Sequence, residues 1–562
     1  MSLCIILVRH QKETISSYMG KLRFTLTNII IWIVLLLSCL LAENFALMNS
    51  NPLGGFSLAP AYILTISTIL FLVFYYLLEH KKNGLTFDKI LLPSFIMMGI
   101  IMIWTIFRQD SRTFTDWEGT GTFDISFTFN ERMLAALQVV IWLGLLYALV
   151  FVYNRFRLNR ESYRWIAKVY LIVIVLLVVI DFFYEWDIIA GIFMGTYTGS
   201  GVQFLMGNAN VWGLMIFTGI VSALILLHKR FTWYYFAGLV GLFLFLIFTT
   251  SATAIYISLV INLAYPIYEI FIHYKENKKQ TLIKFAIYMG AVLTTFGICV
   301  LLVILKVPMF VNFYGFVDNS IFHKDFLTVT GRTIIWDHIF DLLKANPLDF
   351  IFGLGHVTGP KIFQTYNASA MPVKSAHNGV MEFFLRYGLL GGITYVGVLG
   401  LVVFSLIQQL RRKNYRFVFI YGLAFVSVVL HSIAESTMMF TPNVGGVFFG
   451  FVVALPILNV LQEKRLAELK EDLLSVEVKK EPLSKNAYIV VLVSLMMATI
   501  VAIIIRMIAS LDIFSTVLIL LAQLAIGAVV LVFTNNQAIA IINNNILYGY
   551  QTRVSQENNN EK

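Results

Sequence analysis

Lys284–Leu305, KFAIYMGAVLTTFGICVLLVIL, decides the fold of this 562-residue chain. Past its lysine the run holds no charged side chain, and at about 1.5 Å per residue a helix of this length crosses a hydrocarbon core of about 30 Å. Its apolar residues are continuous, not alternating, so it reads as a spanning helix and not as a barrel strand. Runs of the same kind recur at residues 28–46, 58–78, 89–107, 133–153, 164–183, 211–228, 231–249, 251–272, 388–408, 415–434, 443–461, 487–506 and 512–533. Together they predict an all-α polytopic membrane protein of about 14 transmembrane helices. Spans 231–249 and 251–272 are parted only at Thr249-Thr250-Ser251. Composition agrees: 59% of residues are hydrophobic, 13% are charged and mean hydropathy is +0.81. That excludes a soluble domain with an apolar core under a polar surface.

Basic residues supply an orientation. With the N-terminus cytoplasmic, 30 of the 41 Lys and Arg fall on the inner side and 11 on the outer. Both termini are then cytoplasmic, and the one long interruption, residues 306–387, is extracytoplasmic. The pI of about 9.2 calls for no nucleic-acid partner, because the inner Lys and Arg face anionic lipid headgroups.

The expected organisation is a cytoplasmic segment 1–27, transmembrane helices one to nine over 28–305, the extracytoplasmic loop 306–387 and helices ten to twelve over 388–461. A charged cytoplasmic linker 462–486, halted near Pro482, leads to two additional helices over 487–533 and a polar, Asn-rich cytoplasmic tail 534–562. The opening MSLCIILVRH lacks the length and cleavage site of a signal peptide, and Met19 is an alternative start. Cys4, Cys39 and Cys299 lie in or near apolar segments, so neither a disulfide framework nor a cysteine metal site is expected in the loop.

Chemistry on a polar substrate has few places in such a chain except the loop. From Thr330, TGRTIIWDHIFDLLKANP sets apolar residues at 335, 336, 339, 340, 342 and 343 against polar ones at 337, 341 and 344, which predicts an amphipathic helix that Pro347 ends. Arg332 sits in its first turn, where the helix dipole is already positive. Either an anion binds there, or Arg332 pairs with Asp325 or Asp337 or faces water. Gly353 and Gly355 bracket Leu354 in a turn that permits close backbone approach. The turn matches neither a dinucleotide-binding fingerprint nor a P-loop. Ser375-Ala376-His377-Asn378-Gly379 opens a second amphipathic or re-entrant helix, with Asn378 as its N-cap and Glu382–Arg386 as an i,i+4 pair. His377, at that junction, either takes a proton from a hydroxyl or merely caps the turn. His323, His338 and His356 show no metal spacing, so no metal and no cofactor are expected.

In order, Gly331-Arg332 with Trp336, Asn346-Pro347 with Gly353-Leu354-Gly355, and Ala376-His377-Asn378 with Glu382 and Gly388-Leu389-Leu390-Gly391 resemble the outer loop of the O-antigen ligase and polymerase family over about 60 residues. Gly207-Asn208-Ala209-Asn210 is similar to that family's Gly-x-Asn-Pro-Asn turn, with Ala209 in place of the proline. The arginine often found just before that turn is absent, Gln203 being the nearest polar side chain. Thr250-Ser251-Ala252-Thr253 resembles the family's Ser-Arg turn, again without its arginine. Arg108 or Arg112, from another predicted outer loop, is available to replace them.

The resemblance implies a GT-C-like fold and metal-independent, inverting glycosyl transfer on the outer membrane face. The donor would be an oligosaccharide on a polyprenyl pyrophosphate, and the acceptor a second lipid-linked glycan. It implies Arg332 as pyrophosphate ligand and His377 as catalytic base, with Asn378, Glu382, Gly353, Gly355, Asn208 and Asn210 in support. A flippase and a chain-length regulator are the protein partners such an enzyme would work beside. Polymerisation of repeat units is favoured over ligation, since nothing points to another acceptor. The alternative class is a polytopic transporter such as a lipid-linked oligosaccharide flippase, for which Asp181, His431 and Glu435 are candidate intramembrane ionisable groups. Against it, the chain shows no internal repeat, and Asp181 and Glu435 read better as residues near outer helix ends. An inactive assembly partner is the third reading.

Overall fold

The computed structural model describes short stretches between residues 96 and 126, residues 160–322 with brief gaps, 332–355, 376–435 and parts of 445–457. Eleven named helices and one hairpin lie within these. They are β1 (Arg112–Thr115), β2 (Thr122–Ile125), α1 (Arg160–Tyr184), α2 (Trp186–Met194), α3 (Ala209–Leu226), α4 (Trp233–Leu246), α5 (Ala252–Phe271), α6 (Lys278–Ile304), α7 (Pro308–Val317), α8 (Arg332–Lys344), α9 (Pro347–Phe352), α10 (Gly379–Arg411) and α11 (Tyr415–Ala434). Of these, α3, α5, α6, α10 and α11 are long and apolar enough to cross a membrane, and Tyr170–Tyr184 and Trp233–Thr249 are shorter apolar helices. The protein is thus a mostly helical integral membrane protein. Expected spans 28–46, 58–78, 133–153, 487–506 and 512–533, with segment 1–27, linker 462–486 and tail 534–562, lie outside the described residues, and 89–107 and 443–461 only partly inside them.

α3 is the centre of the bundle. Fourteen of its residues from Trp212 to Leu226 are buried, with α1, α4, α5 and α11 packed around it. At Gly219 a Cβ would stand 2.9 Å from both Ile174 of α1 and Leu242 of α4, so glycine sets how closely those helices approach. The narrow separation of two expected spans at Thr249-Thr250-Ser251 proves to be a real turn. A 3-10 turn, Ile247–Thr249, ends α4, Thr250 takes a left-handed φ of 55°, and Ser251 precedes α5.

A second, smaller core caps one end of the bundle. Ile335, Ile339 and Leu343 of α8, at a four-residue period, are buried with Leu354, Ala376, Leu385 and Ile125. The amphipathic stripe is therefore as expected, but two details differ. Pro347 does not simply end the helix: α8 stops at Lys344, and Pro347 opens α9, with Asn346 Oδ1 accepting from Leu348 N at 2.9 Å. The chain is also not purely α-helical. The antiparallel hairpin β1–β2, in register Arg112 with Ile125, brings Ile125 into this cap.

α10 joins cap to bundle. It contains one non-helical residue, Gly388 (φ 65°, ψ −162°), where the expected span at 388–408 begins. The Gly353-Leu354-Gly355 turn docks on that break. Leu354 N donates to Leu385 O at 2.9 Å and Gly355 N to Arg386 O at 3.1 Å. Gly353 and Gly388, both at positive φ, press backbone on backbone, so a Cβ on either would overlap main-chain atoms of the other segment.

Candidate functional site

The bend at Gly388 determines what the start of α10 can reach. Tyr395 Oη lies 3.4 Å from Ser432 Oγ, which fixes α10 beside α11 at that level. A straight helix would carry Asn378 about 25 Å beyond Tyr395, whereas Glu435 is only about 5 Å beyond Ser432. Folding the first turns of α10 over the end of the bundle removes that mismatch and brings the junction before α10 to the end of α11.

The junction itself is clamped. Asn378 Oδ1 caps α10, accepting from Val380 N at 2.9 Å and Met381 N at 3.1 Å. Glu382, almost fully buried, accepts from Ala376 N at 2.9 Å through one oxygen and from Arg386 Nε and Nη2 at 2.9 and 2.6 Å through the other. Trp336 Nε1 of α8 donates to Ala376 O at 2.9 Å. Both polar groups of the Ala376 main chain are thus held, and the next residue, His377, is kept at φ 47°, a left-handed conformation that costs a non-glycine residue about 1–2 kcal/mol.

Arg332 starts the same helix that carries Trp336. Its Nη2 lies 3.1 Å from Glu435 Oε1, and His377 Nδ1 lies 3.5 Å from Glu435 Oε2. At that length and geometry the histidine contact is electrostatic, not a directed hydrogen bond. Side-chain exposure is 13% for Arg332, 16% for Glu435 and 34% for His377, so the imidazole is the most open member. Burial alone would push the Glu435 carboxyl up, but His377, Arg332 and His431 outweigh it and hold the carboxyl below its ordinary range. His431, one turn earlier on α11, is buried and stacked on Phe217 of α3 with ring centroids 5.0 Å apart.

Two residues expected to serve one site, Arg332 and His377, therefore meet on one carboxylate. Of the anticipated partners of Arg332, Asp325 lies outside the described residues; among the described residues the ion pair it makes is with Glu435 and not with Asp337. Glu435 was missed as a partner, being expected only as a residue near an outer helix end. Its sole sequence signal was an acid at the end of an apolar span, one turn past a histidine. Asn378 and Glu382 shape the junction, and Gly353 and Gly355 hold the bend. Asn210 is exposed in the first turn of α3, while Asn208 and Arg108 lie outside the described residues. Arg112 opens β1, a strand of the cap. Among the described residues no three His, Cys, Asp or Glu gather as a metal site would require.

No curated protein and no solved structure matches the chain. Residues 215–396 match the family model described as O-antigen ligase, a stretch that runs from α3 into α10 and takes in Arg332 and His377 but stops short of Glu435.

Proposed function

We propose that the protein polymerises polyprenyl-pyrophosphate-linked oligosaccharide repeat units on the outer face of the membrane, by a single inverting displacement. The observation that carries this reading is the convergence of Arg332 and His377, 45 positions apart, on the one carboxylate of Glu435 at the end of the bundle. The acceptor hydroxyl loses its proton to His377 as its oxygen bonds to the anomeric carbon of the donor. The bond from that carbon to pyrophosphate breaks, and the lipid-linked pyrophosphate leaves with the electron pair. Among the described residues Arg332 gives one hydrogen bond, from Nη2 to Glu435, and its other guanidinium donors would meet the charge that develops on the leaving group. The prenyl chain would lie among apolar spans while its headgroup meets the cap, which accounts for reactive side chains placed at helix ends.

Polymer from cells carrying His377→Ala or Arg332→Ala, at wild-type protein levels, tests this. Single lipid-linked units accumulating on the outer face, with no long polymer, is the expected result. Normal polymer in both variants would refute the assignment, and units retained inside would move the protein to the flippase class.

A further inference from the structure

Glu435 closes α11 beyond the stretch that matches the family. Its two oxygens face different side chains on different elements: Oε1 meets Arg332 of α8 and Oε2 meets His377 before α10. An arginine in the first turn of one helix and a carboxylate at the C-terminal end of another are each disfavoured by their own helix dipole, and pairing offsets both. That explanation requires only one oxygen. The second faces an imidazole whose backbone is kept in a left-handed conformation by hydrogen bonds to both sides of Ala376. Strain of this kind persists only where surrounding contacts impose it, and here those contacts deliver the ring to the carboxylate.

We propose that Glu435 is a positioning residue for the reaction: one oxygen aims the Arg332 guanidinium, and the other holds the His377 ring from its Nδ1 side, so that Nε2 is the nitrogen that takes the proton. After proton uptake by the ring, the same carboxylate lies beside the imidazolium and stabilises it. Glu435 is not itself the base, because it is the less exposed group and its neighbours His377, Arg332 and His431 stabilise the carboxylate and so weaken it as a proton acceptor. The role rests on the assignment of His377 and Arg332 given above.

Turnover of a polyprenyl-pyrophosphate-linked oligosaccharide, followed in membranes containing the full chain and normalised to folded protein, separates the two. Glu435→Gln keeps shape and one acceptor but removes the charge. Its kcat is expected to fall about tenfold to a hundredfold, with KM for the donor changed less than about threefold. Glu435→Asp, which restores the charge on a shorter arm, is expected to recover part of that loss. A purely structural residue would lower the amount of folded protein and leave kcat per folded molecule unchanged. Wild-type kcat in Glu435→Gln, with His377→Ala inactive, overturns the positioning role and leaves the transferase reading intact. Wild-type turnover in His377→Ala removes the transferase reading and this role with it. Where the Gln variant does not accumulate, a folded Asp variant with none of the wild-type rate also overturns the proposal, since the carboxylate is still present.

Discussion

α11 carries an arginine–glutamate pair at each end, and the two are built differently. At its start, Arg416 is saturated: Nε donates to His228 O at 2.6 Å, Nη2 to Leu227 O at 3.1 Å, and Nη1 and Nη2 make three contacts of 2.9 to 3.3 Å with both oxygens of Glu269 in α5. The guanidinium thus holds the carbonyls of the turn that follows α3 and binds α5 to α11, leaving little for a ligand. At the other end, among the described residues, Arg332 makes a single hydrogen bond, to Glu435, whose other oxygen faces a histidine in a disfavoured backbone conformation. The saturated pair is a fastening between helices. The other pair, with fewer hydrogen bonds among the described residues and a half-buried imidazole beside it, is the arrangement that the proposed transfer requires.

This contrast can be broken at either end. The largest effect is expected for His377→Ala, where loss of a base should reduce turnover by about 10²–10⁴-fold with protein levels unchanged; a turnover assay on membranes checks it. Arg332→Ala should follow, at about 10²-fold, with Arg332→Lys recovering only part because an ammonium cannot reproduce the planar fork. If Lys were as good as Arg, the guanidinium geometry would be irrelevant. Arg416→Met should do the opposite. It strands Glu269 and the carbonyls of Leu227 and His228, so the thermal midpoint of the purified protein should drop by the equivalent of about 1–3 kcal/mol while turnover per folded molecule stays normal. Reduced turnover per folded molecule there would erase the distinction between the two ends.

The smallest effect concerns His338 on α8. Burial holds its pKa below the ordinary histidine value of 6.5, against the opposing pull of Asp341. The unfolded chain therefore takes up the proton first, and stability falls as pH drops through and below about 6.5. His338→Leu should flatten the decline in thermal midpoint between about pH 7 and 5, measured by unfolding at each pH. An unchanged slope would mean that His338 contributes nothing to it.

Features carried by local spacing were legible in the chain. The buried stripe of Ile335, Ile339 and Leu343, the Asn378 cap and the Glu382–Arg386 pair all arise within one or two helical turns, where a 3.6-residue period dictates which side chains are neighbours. Pro347 was ambiguous for the same local reason. A proline both stops a preceding helix and suits the first position of a new one, and Asn346 as cap selected the second role. The hairpin escaped notice because four-residue strands carry little period-2 signal, and Ile125 is fixed by packing against α8 instead of by its own neighbours.

The sequence by itself determined the spanning helices that lie among the described residues, the amphipathic cap helix and the junction that begins α10, because hydropathy and helical periodicity are properties of consecutive residues. Only the tertiary structure decided that Arg332 and His377 share Glu435, which is 103 residues from the first and 58 from the second. That meeting depends on a backbone break at Gly388, on the glycine turn that docks there and on the antiparallel path of α10 and α11. A carboxylate's partner is set by where three separate helix ends come to lie, and no spacing along the chain encodes that distance.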